Sequence, residues 1–95
     1  MTSYQDITRT TSAQLASLRA DIPDTMRGFS AMAQAATKDG ALDKTTKELI
    51  AMALSVAARC DPCVGYHAKA LVELGASRAQ VAEALGMAAF SHFRF

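Results

Sequence analysis

The sequence predicts an all-α domain of about five helices, on three observations. Alanine, the strongest helix former, supplies 20 of the 95 residues, whereas Ile and Val supply only three and four. Only two prolines, Pro23 and Pro62, interrupt the chain. Apolar residues are 51% of the composition and recur at the three- and four-residue spacing of helix faces.

The predicted elements follow in order. Residues 1–11 are polar and are expected to be irregular. Ser12 can cap a helix running through Ala20, with Leu15, Leu18 and Ile22 on one stripe, and Pro23 ends it. Asp24 can cap a second helix to about Thr37, with Met26, Phe29, Met32 and Ala33 on one face. Lys38-Asp39-Gly40 reads as a turn.

A third helix begins at Asp43 or Thr45 and runs through Arg59. Leu49, Ile50, Ala53, Leu54, Val56 and Ala57 give it a wide apolar face. Thr45-Thr46-Lys47-Glu48 has the form of a capping box, which would make Glu48 a helix cap. Asp61-Pro62 starts a fourth helix, with Asp61 as cap and Pro62 at the first helical position; it stops at Gly75. Ser77-Arg78-Ala79-Gln80 is a capping box opening a fifth helix towards Phe93, with Val81, Leu85, Ala88 and Ala89 inward. The apolar third helix, with Phe90, Phe93 and Phe95, exceeds what five short helices can cover. A homo-oligomer is the expectation.

A chain of 95 residues makes one domain, 1–95. Ten basic and nine acidic residues give +1, divided six to five before Glu48 and four to four from Glu48 on. No concentrated basic patch remains for a nucleic-acid partner. The longest uncharged runs, Leu49–Ala58 and Ala84–Phe93 among them, are ten residues each, against about 20 for a membrane-spanning helix. Asp6 and Arg9 among polar residues do not make a signal peptide. The expected location is the cytoplasm, whose reducing conditions leave two cysteines in need of a role other than a structural disulfide.

Cys60-Asp61-Pro62-Cys63 is a C-x-x-C motif at a predicted helix start. With Asp61 as cap, Cys63 falls in the first turn, where the helix dipole and unpaired N–H groups favour a thiolate. Cys63 is therefore the predicted thiolate, and Cys60 is near enough to form a disulfide with it if the backbone permits. His67 lies one helical turn after Cys63 and can act as base towards it or as acid towards a leaving group. Two other readings fit the cysteines. Three zinc ligands would need a fourth, and the other histidine, His92, lies in the terminal segment. Buried, inert cysteines would not need a helix start or a neighbouring histidine. Covalent haem is excluded because Val64 follows Cys63 where a histidine is required.

Glu48 stands apart on spacing alone. In a hairpin turning near Cys60, His67 faces about residue 53, which leaves Glu48 roughly 8 Å further along the axis. Contact between them would need splayed helices, a bridging water or a glutamate from another subunit.

Glu48, Cys60-x-x-Cys63 and His67 together resemble the E-x11-C-x-x-C-x3-H signature of AhpD-like alkylhydroperoxidases, in the carboxymuconolactone decarboxylase superfamily. Thr46-Lys47-Glu48-Leu49-Ile50-Ala51, Val64-Gly65-Tyr66-His67 and Leu74-Gly75-Ala76-Ser77 resemble the same family, over about residues 38–90. The resemblance implies a helical hairpin at the centre of an all-α fold, trimers or hexamers, and reduction of hydroperoxides without a cofactor. It implies that Cys63 attacks the peroxide, Cys60 resolves the sulfenic acid, and His67 with Glu48 relays protons. An external dithiol or thiol-carrying protein would regenerate the pair. Asp61 and Pro62 stand where some members have a second histidine, and this chain ends at Phe95 where similar members continue. Two further readings are a lactone decarboxylase, whose chemistry does not require a cysteine pair, and a non-enzymatic redox-sensing oligomer.

Overall fold

The computed structural model describes residues 2–92 and places them in five helices: α1 (Tyr4–Asp21), α2 (Pro23–Thr37), α3 (Lys44–Ala57), α4 (Asp61–Glu73) and α5 (Arg78–His92). No strand occurs among the described residues. None of the described helices is long and apolar enough to cross a membrane. Phe93 and Phe95, expected as exposed apolar surface, lie outside the described residues.

The largest departure from the sequence reading is at the start. Residues 1–11 were expected to be irregular, yet α1 begins at Tyr4. Ser3 and Asp6 form a capping box: Ser3 Oγ accepts the Asp6 N–H at 3.1 Å, and Asp6 Oδ2 accepts the Ser3 N–H at 3.4 Å. Ser12, expected as a cap, is therefore mid-helix. No residue of α1 is fully buried, so the helix needs little apolar content and its polar sequence conceals it. It is held instead by its seam with α4. A Cβ added at Gly65 would lie 2.5 Å from Thr8 Cγ2 and 3.3 Å from the Tyr4 carbonyl oxygen. Only glycine lets the two backbones approach this closely. Tyr66 Oη donates its one proton to the Thr8 carbonyl at 3.2 Å. Its 2.6 Å bond with Ser12 Oγ is then donated by the serine.

α2 starts at Pro23, with Ile22 as an N-cap that offers no side-chain bond, so Asp24 is a first-turn residue and not the cap. Of its expected apolar face only Met26 is buried; Phe29 and Met32 are exposed. α3 starts as one of the two expectations had it. Asp43 Oδ1 accepts the Thr46 N–H at 2.7 Å. The Thr46 hydroxyl, and after it this N–H, hold the Asp43 carboxyl below its ordinary range. Glu48 therefore lies past the first turn and caps nothing.

α3 is the central element and packs against both α4 and α5. Its buried stripe is Glu48, Met52 and Ser55, at four- and three-residue steps. Of the wide apolar face expected for this helix, Ile50, Leu54 and Val56 face outwards, Leu54 at 63% exposure, while Leu49, Ala53 and Ala57 are half-buried. The stripe turned inwards is the one carrying a carboxylate and a hydroxyl. Among the described residues the buried apolar side chains are Met26, Met52, Leu71 and Ala88. At the far end of α4 the chain turns through Gly75 (φ 76°), with Gly75 N–H to Val72 O at 3.1 Å and Ala76 N–H to Leu71 O at 3.0 Å, as its sequence predicts. The α5 capping box forms as expected: Ser77 N–H to Gln80 Oε1 is 2.8 Å and Gln80 N–H to Ser77 Oγ is 3.1 Å. Along the expected inner face Ala88 is buried, Val81 and Ala89 are half-buried and Leu85 is exposed.

Gly65→Ala is expected to push α1 off α4, at a cost of about 1–3 kcal/mol. Each kcal/mol corresponds to roughly 4–8 °C in Tm at this size. Thermal unfolding measures the loss, and faster amide exchange confined to residues 4–21 would place it at the seam.

Candidate active site

The site is built on the corner between α3 and α4. Beyond Ala57 the chain closes α3 with a Schellman motif: Arg59 N–H to Val56 O at 3.1 Å and Cys60 N–H to Ser55 O at 3.0 Å. Arg59 adopts φ 57°, a left-handed position usually given to glycine. Cys60 then opens α4. Its carbonyl accepts the Val64 N–H at 3.0 Å and its Sγ accepts the Cys63 N–H at 3.3 Å. Cys60, not Asp61, is thus the N-cap, because Cys60 is extended (φ −102°, ψ 95°) whereas Asp61 is already helical. Asp61-Pro62 occupies the first two helical positions and remains compatible with both residue types.

Cys63 stays in the first turn and is joined to Cys60 by a disulfide, with a Cα–Cα separation of 5.2 Å. Both cysteines are half-buried, so the pair meets solvent at the corner. His67 follows one turn on. Its Nδ1 lies 2.7 Å from Glu48 Oε2. An ionised carboxylate only accepts, so Nδ1–H donates and Nε2 is left for other work. Glu48 is 5% exposed, while the His67 side chain is 31% exposed. The carboxylate is the buried end of the pair and the imidazole the end nearer water.

The structure joins Cys60 to Cys63 and Glu48 to His67, and the helical spacing of Cys63 and His67 puts the two pairs one turn of α4 apart. The hairpin arithmetic had separated Glu48 from His67. They touch directly within one chain, at 2.7 Å, with no second subunit needed. Two residues of the site escaped the sequence reading. Ser55 is buried, donates its Oγ–H to Ala51 O at 2.6 Å, and offers the carbonyl that holds Cys60 N–H. Its seven-residue distance from Glu48, inside an apolar run, was the available clue. Tyr66 anchors α4 beside His67 and had no clue in spacing.

A disulfide at an exposed helix start can accept two electrons from an external thiol, and a histidine oriented by a carboxylate can move the protons. Fold and site together define an all-α dithiol domain of the AhpD-like kind. The sequence profile of the carboxymuconolactone decarboxylase family matches residues 23–94, which takes in α2 and leaves α1 outside. A crystal structure of the apo form of a carboxymuconolactone decarboxylase family protein from Legionella pneumophila is similar with a TM-score of 0.90 and 55% identity, over 93% of this chain and 79% of that one. An uncharacterized protein of Cupriavidus necator is 43% identical over 65 residues, covering 68% of this chain and 58% of that protein. An uncharacterized protein encoded in the cox locus of Paracoccus denitrificans is 41% identical over 61 residues, covering 64% of this chain and 55% of that protein. The chain thus spans little more than half the length of these two relatives. It belongs to the carboxymuconolactone decarboxylase family.

The pair makes a stability prediction independent of activity. His67→Ala leaves the Glu48 carboxylate buried without its partner and is expected to cost about 1.5–3 kcal/mol. In the Glu48→Gln background the same change is expected to cost less, giving a coupling of about 0.5–3 kcal/mol. Urea unfolding of the two single variants and the double variant measures it; additive effects would mean the pair is not energetically coupled.

Proposed function

We propose that the chain is a thiol-dependent peroxidase that reduces hydroperoxides through the Cys60–Cys63 dithiol. The observation that carries this reading is the redox pair one turn from a histidine whose Nδ1 is held by a buried carboxylate. In the reduced protein, His67 takes the Cys63 proton and the thiolate attacks the outer peroxide oxygen. The O–O bond breaks, the alkoxide leaves with the proton from His67, and Cys63 becomes a sulfenic acid. The Cys60 thiolate then attacks the Cys63 sulfur. Hydroxide leaves as water after protonation, and the disulfide forms. An external dithiol, of the kind a reducing cytoplasm supplies, returns two electrons by exchange. Glu48 has its role through His67, by fixing the ring so that Nε2 faces the reacting atoms. Lactone decarboxylation, the chemistry in the family's name, gives the cysteine pair no part.

Steady-state consumption of an organic hydroperoxide with a supplied dithiol, read beside free-thiol counts, tests the proposal. Cys63→Ser is expected to abolish turnover, and Glu48→Gln to lower it roughly 10²-fold. A fully reduced protein that keeps both thiols in excess hydroperoxide would refute it.

We also propose that the working form is a homo-oligomer. The chain exposes 7169 Å² of surface, against about 5,300 Å² for a folded monomer of its 10.1 kDa mass. Val72 and Phe90 are 79% and 80% exposed, and Leu54 and Met87 also face outwards. The surplus is about twice what one standard interface removes from each partner, and is of the size that a large obligate interface covers. Light scattering during gel filtration is expected to give a multiple of 10.1 kDa at micromolar concentration; a monomer there would overturn the assignment.

A further inference from the structure

We propose that Cys60 is the thiolate released when the disulfide opens, so that an external thiol attacks the Cys63 sulfur. The inference rests on the dithiol reading of the site and assigns its regiochemistry, which the peroxidase reading leaves open.

Thiol–disulfide exchange favours attack that expels the more stable thiolate. The two sulfurs differ in what would hold a negative charge. Cys60 is the N-cap of α4, and its Sγ already accepts the Cys63 N–H at 3.3 Å in the disulfide form. On reduction that bond becomes charge-assisted, with the positive end of the helix dipole behind it. The backbone of Cys60 is fixed on both sides, by Ser55 O on its N–H and by the Val64 N–H on its carbonyl. The sulfur therefore needs no rearrangement to keep its donor.

Cys63 lies inside the first turn, and its own N–H is given to the other sulfur. His67, when protonated, is one turn on from Cys63 and is already answered by Glu48. The charges flanking Cys60 do not reverse the order. Arg59 and Asp61 are opposite in sign, both exposed and screened by solvent. This revises the expectation from the sequence, in which Asp61 as cap gives the helix-start advantage to Cys63; Cys60 is the cap.

The exchange then runs as follows. The reductant thiolate forms an S–S bond to Cys63 as the Cys63–Cys60 bond breaks, and Cys60 leaves as thiolate. The reductant's second thiolate attacks the reductant sulfur in the mixed disulfide. The reductant is oxidised to its own disulfide, and Cys63 leaves as a thiolate that takes a proton from His67. Two devices thus serve two sulfurs: the helix N-terminus ionises Cys60, and the His67–Glu48 pair moves the proton at Cys63.

The experiment uses the oxidised wild-type protein and 2-mercaptoethanol. The reaction is quenched with acid at partial conversion, and the mercaptoethanol adduct is located by peptide mass mapping. The adduct is expected on Cys63 over Cys60 by at least about tenfold. An even distribution, or an excess on Cys60, overturns the inference. A second measurement follows alkylation rate against pH in reduced Cys63→Ser and Cys60→Ser. The thiol remaining in Cys63→Ser is expected to reach half-maximal rate at least about one pH unit lower. Equal midpoints, or the reverse order, would also overturn it. Neither measurement uses a peroxide. A protein with the adduct on Cys63 and no hydroperoxide turnover retains this assignment and loses the peroxidase; turnover with the adduct on Cys60 does the opposite.

Discussion

A carboxylate removed from water in a helical domain of this size has to be answered by a partner, and the contact between Glu48 and His67 is that answer. Taking an unpaired ion from water costs far more than any single apolar contact in a small domain returns. The contact therefore sets the rotation of α3. With Glu48 inwards, Met52 and Ser55 are buried beside it at helical spacing, and Ile50, Leu54 and Val56 are carried outwards. It also sets where α4 lies along α3. The apolar surplus on the outside of the molecule thus follows from the polar residue on the inside.

The second constraint is the corner. One residue, Cys60, completes the end of α3 with its N–H and the start of α4 with its carbonyl and sulfur. The position of the sulfur is therefore set by backbone hydrogen bonds rather than by core packing, which in this chain is thin. Arg59 accepts a left-handed backbone there. The cost of that conformation is of order 1 kcal/mol, and the two Schellman bonds offset it. A dithiol held in this way can change oxidation state without asking the core to repack.

Much of this was legible in the sequence, and the failures share a physical cause. The all-α class, the Gly75 stop, the Asp43 cap and the Ser77–Gln80 box are local, and local chemistry decided them. The C-x-x-C pair and His67 were legible because their spacing is helical. What failed was whatever a neighbouring helix decides. α1 is too polar to announce itself and forms because α4 offers Gly65 and Tyr66. The apolar face of α3 was too wide to single out the stripe that is buried, since apolarity alone cannot say which side meets a partner within the chain. Glu48 was reached by resemblance and not by spacing, because arithmetic along the helix axis leaves out how far two long side chains reach. Asp61 looked the better cap by residue type, and lost to Cys60 because the Schellman turn had already fixed Cys60 in an extended conformation.

The position of α1 completes the logic. It lies outside the segment matched by the family profile, yet it closes the side of α4 at Gly65 and Tyr66, the two residues immediately before His67. α4 is thereby held between α1 and α3. Helix α4 has a single strong carboxylate contact to α3 and only two fully buried residues, Gly65 and Leu71. Without the seam, rotation of α4 about its own axis would be opposed chiefly by the bond to which the proposed mechanism assigns proton transfer. With the seam, the glycine notch and the tyrosine hydroxyl resist that rotation, and the His67–Glu48 contact is free to be chemical rather than only structural.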